Sequence, residues 1–155
     1  MMYINIAVML VTTLLMEGVA WVTHKYLMHG ALWFLHRDHH DKKSKGWFEE
    51  NDFFFLIFAI PGIVLTYLGF YTMTTSITFW IGAGITLYGF LYFSIHDIFI
   101  HQRFKWLSKA SHPYFKAIRR AHKMHHKHTG KENGECFGML YVPKKYHDQY
   151  KKNQD

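Results

Sequence analysis

The sequence predicts an all-α integral membrane protein with about three transmembrane spans, plus cytoplasmic interfacial helices carrying a histidine-rich dimetal site. Three observations predict it. No Asp, Glu, Lys, Arg or His occurs from Phe53 through Ile95, a stretch long enough for two bilayer crossings of about 20 residues each. A further apolar run extends from about Tyr3 to Val22, interrupted only by Glu17. Ten of the thirteen histidines fall into four short clusters, and every cluster lies at the end of an apolar run or beyond it.

The first apolar run lacks a basic start and a small-residue cleavage site, so it reads as a retained span and not as a signal peptide. Its helix is expected to run past the membrane surface to about His29, with Gly30 as its stop. Trp33 and Phe34 then fit the membrane interface, and Lys42 to Asp52 reads as a polar loop into the second span. The uncharged stretch divides at Thr72 to Ser76, where Thr-Met-Thr-Thr-Ser separates two runs rich in Phe, Ile, Leu and Tyr. Pro113 marks a helix start, after which Tyr114, Ile118, Ala121, His122 and His125 form one stripe at helical spacing. Lys116, Arg119, Arg120, Lys123 and Lys127 occupy the rest of that helix, which suits one lying along the membrane surface. No Ser/Gly-rich linker or low-complexity tract appears, so residues 1–155 read as a single domain.

The formal net charge of +7 arises outside the spans, from residues such as Lys42, Lys43, Lys45, Arg103, Lys105 and Lys109. By the positive-inside rule these segments are cytoplasmic, which leaves the N-terminus and the uncharged Thr72 to Ser76 turn outside. That arrangement gathers all four histidine clusters at the inner face, as a shared metal site requires. A basic balance of this kind suits a membrane-facing and partner-facing surface; no nucleic-acid-binding motif accompanies it. The single Cys136 permits no intramolecular disulfide.

The clusters repeat two spacings. His24 and His29, like His96 and His101, are HxxxxH; His36, His39 and His40, like His122, His125 and His126, are HxxHH. On an α-helix the three positions of HxxHH lie within about 100°, so three imidazoles can converge. Positions five apart diverge by about 140°, so each HxxxxH pair either straddles two metals or needs a helix end that unwinds. Neutral imidazole is the commonest protein metal ligand, and ten of them suit two ions better than one. His112, His128 and His147 lie outside the clusters and read as a cap before Pro113, a solvated tail and an exposed C-terminal residue.

Glu17, seven residues before His24, falls on nearly the same helix face. An acid inside a span must face protein or be neutral, so it is expected to accept a hydrogen bond from the ligands or to join them, the alternative being a packing contact between spans. Asp97 beside His96 and Asp38 beside His39 are further acceptor candidates, although adjacent residues point apart on an α-helix. All-nitrogen ligation suits iron, zinc, copper or nickel. A membrane site receives lipid-soluble hydrocarbons, and attack on an unactivated C–H bond needs a redox metal and O2, which favours iron.

These residues resemble the bacterial beta-carotene hydroxylases of the membrane-bound fatty acid hydroxylase/sterol desaturase superfamily. The resemblance is carried by MEGVAWVTHKYLMHG from Met16, HRDHH from His36, FEEND from Phe48, IGAGITLYGFLYFSIHDIFIHQR from Ile81, AHKMHH from Ala121 and CFGMLYVP from Cys136. Sibling families share the histidine boxes but not the intervening runs. The resemblance implies a non-haem di-iron monooxygenase that hydroxylates C3 of each beta-ionone ring, taking beta-carotene through beta-cryptoxanthin to zeaxanthin. It implies that the ligands are His24, His29, His36, His39, His40, His96, His101, His122, His125 and His126, and that electrons come from a ferredoxin and its NAD(P)H-dependent reductase. The setting implied is a bacterial inner membrane, with the metal site on the cytoplasmic face. Cys136 stands where family members often have Ser. A fatty acid or sterol hydroxylase, a carotenoid ketolase and a non-enzymatic histidine-rich metal-binding protein are the alternatives, and the oligomeric state is left open.

Overall fold

The computed structural model describes residues 1–41 and 48–151. The first residues of the polar connection expected from Lys42 to Asp52 therefore lie outside the described residues, as does the end of the basic tail. Helix α1 (Met2–Val22) continues without a break into a π-helical segment, Thr23–Ala31, and the two form one rod of 30 residues. Gly30 leaves helical geometry, with φ −115° and ψ −113°, and ends the rod where the sequence placed its stop. Helix α2 (Trp33–His40) follows. Helices α3 (Phe54–Gly69) and α4 (Ile77–Phe93) form the hairpin, and α4 runs on into a second π-helical segment, Ser94–Ile100. Ser76 caps α4 by accepting from the Phe79 amide at 3.3 Å, so the expected turn is a true helix boundary. Helices α5 (Pro113–Lys127) and α6 (Lys144–Lys151) complete the chain. Three helical rods have the length and apolarity to cross a membrane, and no strand occurs among the described residues.

The spans pack through small residues. A Cβ on Gly82 would stand 2.5 Å from the Thr66 amide of α3, and one on Gly84 would stand 2.6 Å from the Met9 carbonyl of α1. Close backbone approach through glycine replaces the hydrophobic effect as the association force where lipid is the solvent. Thr13 adds a buried hydroxyl bond to the Gly84 carbonyl at 3.1 Å. Leu10, Leu14, Leu15, Ile60, Ile63, Leu68 and Phe90 point outward and stay exposed, as lipid-facing side chains do. Gly82→Ala is accordingly expected to destabilise the bundle by about 1–3 kcal/mol, read as a lower thermal midpoint in detergent. Gly89→Ala, with open space around its Cβ, should leave the midpoint unchanged or raise it.

Asn5 Nδ2–H donates to the Thr74 carbonyl at 2.7 Å, which puts the N-terminus and the α3–α4 turn at one end of the bundle. The histidines gather at the other. There α5 buries the stripe Ala117, Ile118, Ala121, His122 and His125, and Val142 and Tyr146 pack on its apolar members.

Candidate metal centre

Both HxxxxH pairs lie on the π-helical segments or at their ends: His24 and His29 within Thr23–Ala31, His96 and His101 across Ser94–Ile100 and its C-cap. In a π-helix the backbone bonds run from i to i+5, so residues five apart stack on one face. The His101 amide, for example, donates to the His96 carbonyl at 2.9 Å. The 140° divergence disappears, and neither straddling nor unwinding is needed.

The histidines form two sets. The ring nitrogens of His24, His29, His36, His40 and His125 converge within 4.8 Å of one another, and those of His39, His96, His101 and His122 do the same. The His126 ring lies against the second set, 4.5 Å from His122 and 5.0 Å from His101 between centroids. Each HxxxxH pair thus stays whole, while each HxxHH divides: its i and i+4 members share a set and its i+3 member joins the other. This reverses the sequence expectation, because the two sets stand side by side and helices α2 and α5 each run between them. The duplicated spacings therefore correspond to a two-fold exchange of roles between clusters. Eight of the ten rings are buried, and His101 and His126 are half-buried.

What holds the rings is largely backbone. From one short segment, the carbonyls of His128, Lys131, Glu135 and Phe137 accept from Nδ1–H of His40, His29, His125 and His24 at 3.0, 3.1, 2.8 and 2.9 Å. Asn133 and Cys136, with φ of 63° and 60°, bend this segment through the left-handed region. The Asn51 side-chain oxygen accepts from His36 at 2.6 Å, Glu49 from His39 at 2.6 Å and Asp97 from His96 at 3.2 Å.

The carboxylates sort differently from the sequence expectation. Asp97 does back its neighbour His96, accepting from its Nδ1–H at 3.2 Å. Asp38 instead accepts from the Glu50 amide. Glu17 bonds no histidine: its Oε1 accepts from the amides of Met139, Leu140 and Tyr141 at 2.8, 2.7 and 2.9 Å, and its Oε2 from the Tyr88 hydroxyl at 2.8 Å. It is a contact between spans and the C-terminal segment, the alternative to the ligand role. His112 caps α5, its Nδ1 accepting from the Tyr114 amide at 3.3 Å, His147 stacks on Tyr114, and His128 serves through its carbonyl.

The protonation pattern tests whether metal ions fit. A carbonyl can only accept, so the Nδ1 atoms facing carbonyls carry the hydrogens and the opposite Nε2 atoms of neutral rings present bare lone pairs. Those lone pairs face one another. Nε2 of His36 lies 3.2 Å from Nε2 of both His24 and His40, and His29 and His125 meet at 3.2 Å. In the second set Nε2 of His39 and His96 meet in the same way at 3.2 Å, and Nε2 of His101 and His122 lie 2.8 Å apart, a contact in which one neutral ring can donate to the other. Nε2 of His126 is buried with no hydrogen-bond partner. Protons do not resolve the repulsion. Burial, reinforced by neighbouring imidazoles, drives His36 down to about 2, and His39 and His122 lie well below the ordinary range. Burial likewise takes His40 to about 4, His101 and His125 to about 3, and lowers His126. Rings held neutral with converging lone pairs suit divalent cations.

A family model for fatty acid hydroxylases matches residues 9–142. The chain belongs to the fatty acid hydroxylase family. Its relatives include a beta-carotene hydroxylase from Pantoea ananas, 44% identical over 139 residues that cover 90% of this chain and 78% of that protein. Another, from Pseudescherichia vulneris, is 40% identical over 145 residues covering 92% and 80%. A chloroplastic beta-carotene 3-hydroxylase of Gentiana lutea is 39% identical over 131 residues, covering 83% of this chain and 40% of that protein. No solved structure matches the chain.

In this hydroxylase the residues that sequence reasoning missed are Glu49, Asn51 and Arg103. The Arg103 guanidinium reaches Asp52 at 2.7 Å, Asp97 at 3.1 Å and Glu49 at 3.4 Å, tying together the carboxylates behind His39 and His96. Burial raises the Glu49 carboxyl while Arg103 opposes the rise. The available signal was the run FEEND, which carried part of the resemblance without suggesting a role. Aromatic rings close the histidine sets: Trp33 lies 5.1 Å from His29, Phe137 5.5 Å from His24, and Tyr92 stacks on His96 at 5.1 Å.

Proposed function

We propose that this membrane hydroxylase is a di-iron beta-carotene 3-hydroxylase, acting on the beta-ionone rings of beta-carotene to give beta-cryptoxanthin and then zeaxanthin. The observation that carries the reading is the pair of convergent, mostly buried histidine sets at one end of three apolar spans. The identity to bacterial beta-carotene hydroxylases over most of the chain directs it to this substrate. The ten clustered histidines are the ligands, five to each ion. With iron bound there and O2 as co-substrate, the centre supplies oxidising power sufficient for an unactivated ring C–H bond. One oxygen atom enters that bond and the other leaves as water, which takes two electrons and two protons. The chain's own contribution is to hold seven of the ten rings in fixed tautomers, screen them with Trp33, Tyr92 and Phe137, and place them where a hydrocarbon dissolved in the bilayer reaches them.

Basic residues concentrated at the histidine end support a bacterial inner-membrane setting with the centre on the cytoplasmic face. The test is expression in a bacterium that accumulates beta-carotene, followed by chromatography and mass analysis. Pigments heavier by one and then two oxygen atoms, hydroxylated at C3, are expected. A carbonyl product would make the chain a ketolase, and unchanged pigment would turn the reading toward fatty acid or sterol substrates.

The electron donor in this reading is an acidic ferredoxin with its NAD(P)H-dependent reductase, steered to the exposed cations Arg120, Lys123 and Lys127 of α5. Arg119 on the same helix is engaged elsewhere: its guanidinium donates to the Phe99 carbonyl at 3.0 Å and lies over the Phe99 ring at 4.2 Å. Arg120→Glu with Lys123→Glu should slow ferredoxin-supported turnover several-fold while leaving turnover with a small chemical reductant unchanged. Raised salt should mimic the double variant, since screening acts over about 8 Å at physiological ionic strength. Equal losses with both reductants would discard this docking face.

A further inference from the structure

The two histidine sets are alike in ligands and unlike in what stands behind them. Among the described residues the acceptors behind the first set are neutral: the carbonyls of His128, Lys131, Glu135 and Phe137 and the amide oxygen of Asn51. Behind the second set stand carboxylates, Glu49 on His39 at 2.6 Å and Asp97 on His96 at 3.2 Å. Arg103 holds both, at 3.4 Å from Glu49 and 3.1 Å from Asp97, and anchors itself on Asp52 at 2.7 Å. Three carboxylates facing one guanidinium leave a net negative field beside the second set.

Two effects then act in the same direction. An imidazole whose Nδ1–H is given to a carboxylate is a more basic donor at Nε2 than one bonded to a carbonyl, because the carboxylate draws the proton away and returns electron density to the ring. The nearby negative charge also attracts a dication directly, in surroundings where screening is weak. The first set has neither advantage. Four of its five rings depend on one segment, 128–137, so its geometry is only as firm as that segment.

We propose that the two metal sites are inequivalent, the set His39, His96, His101, His122 and His126 binding its ion more tightly than the set His24, His29, His36, His40 and His125. Glu49 and Asp97 are the positioning residues that create the difference, and Arg103 is the clamp that keeps both carboxylates on their histidines. The inference rests on the two-metal reading of the centre.

The experiment titrates the full chain in detergent, stripped by a chelator, with zinc in competition with a chromophoric zinc chelator. Zinc suits imidazole and has no redox chemistry, so the readout is independent of turnover. The expected isotherm has two steps totalling two ions per chain, with dissociation constants about 10-fold or more apart, the scale on which outer partners act. His101→Ala should remove the tighter step and His29→Ala the weaker one. Glu49→Gln and Asp97→Asn, tested separately so that misfolding of one leaves the other, should each weaken the tighter step about 10–100-fold and leave the weaker step in place. A general structural role would weaken both steps together. Two ions bound with equal affinity, or both steps weakened equally by both variants, would overturn the inequivalence while preserving the two-metal centre. A total below two ions in the unaltered chain would overturn the two-metal reading and this inference with it.

Discussion

Replacement of His36 by alanine is expected to abolish hydroxylated pigment while leaving protein in the membrane. His36 is the hub of the first set, 1% exposed, with its Nε2 at 3.2 Å from those of both His24 and His40. Its loss removes one of the proposed ligands, leaves the Asn51 oxygen without its donor and opens space inside the cluster. The same outcome is expected for His125→Ala, whose ring is 0% exposed and meets His29 at 3.2 Å. Either loss should exceed the roughly 10–100-fold that removal of an outer partner costs, and metal analysis should show fewer ions per chain. The contrast is with the other histidines. His147→Ala removes a stacking contact and His112→Ala a helix cap worth about 1 kcal/mol, and His128→Ala keeps the carbonyl that His40 uses. All three should retain product within about twofold, a range in keeping with the small effects of such changes. Full product from His36→Ala together with His125→Ala would remove the basis of the assignment.

The spans, the turn and the ten clustered histidines were legible because each is a matter of residue type. Lipid demands apolar runs, and clustered imidazoles at repeated spacings mark a candidate metal centre. Their partition between two sets was not legible, because it depends on the helix changing period at Thr23 and again at Ser94 and on which sides of α2 and α5 the two sets stand. Read at 3.6 residues per turn, His24 and His29 diverge, and the π-helical segment closes that pair up; each HxxHH divides on a regular α-helix instead, because the two sets lie on either side of it. The acceptors behind the rings were hidden for a different reason. Four are backbone carbonyls, which any residue supplies, and sequence assigns no function to them. Glu49 and Arg103 become visible only once α2, the start of α3 and the end of α4 meet, since Arg103 lies 51 residues from Asp52.

Glu17→Ala is expected to cost roughly 3 kcal/mol or more, because it strips an acceptor from three amides and one hydroxyl at once, and each of the part-buried donors of Met139, Leu140 and Tyr88 left unmet costs about 1–3 kcal/mol. The partners are fixed by the chain: the amides of Met139, Leu140 and Tyr141 on one oxygen and the Tyr88 hydroxyl on the other. Water does not replace them easily beside lipid. The damage should travel. Two to six residues upstream of those amides stand the Phe137 and Glu135 carbonyls that hold His24 and His125, so freeing the segment loosens the first set and product should fall with stability. Glu17→Gln separates charge from geometry, for its carbonyl oxygen still accepts from the amides and its NH2 donates to a Tyr88 hydroxyl that has rotated to accept. It should fold and keep most activity, with a lower thermal midpoint because a neutral acceptor makes weaker bonds than a charged one. Thermal unfolding in detergent, limited proteolysis of 129–141 and pigment yield measure the three effects, and an alanine variant as stable and active as the unaltered chain would end the argument. Gly138→Ala approaches the same contact from the opposite side. Its Cβ would stand 2.8 Å from Glu17 Oε1, and a carboxylate already held by four donors has little freedom to move away, so that variant should reproduce a milder form of the same loss.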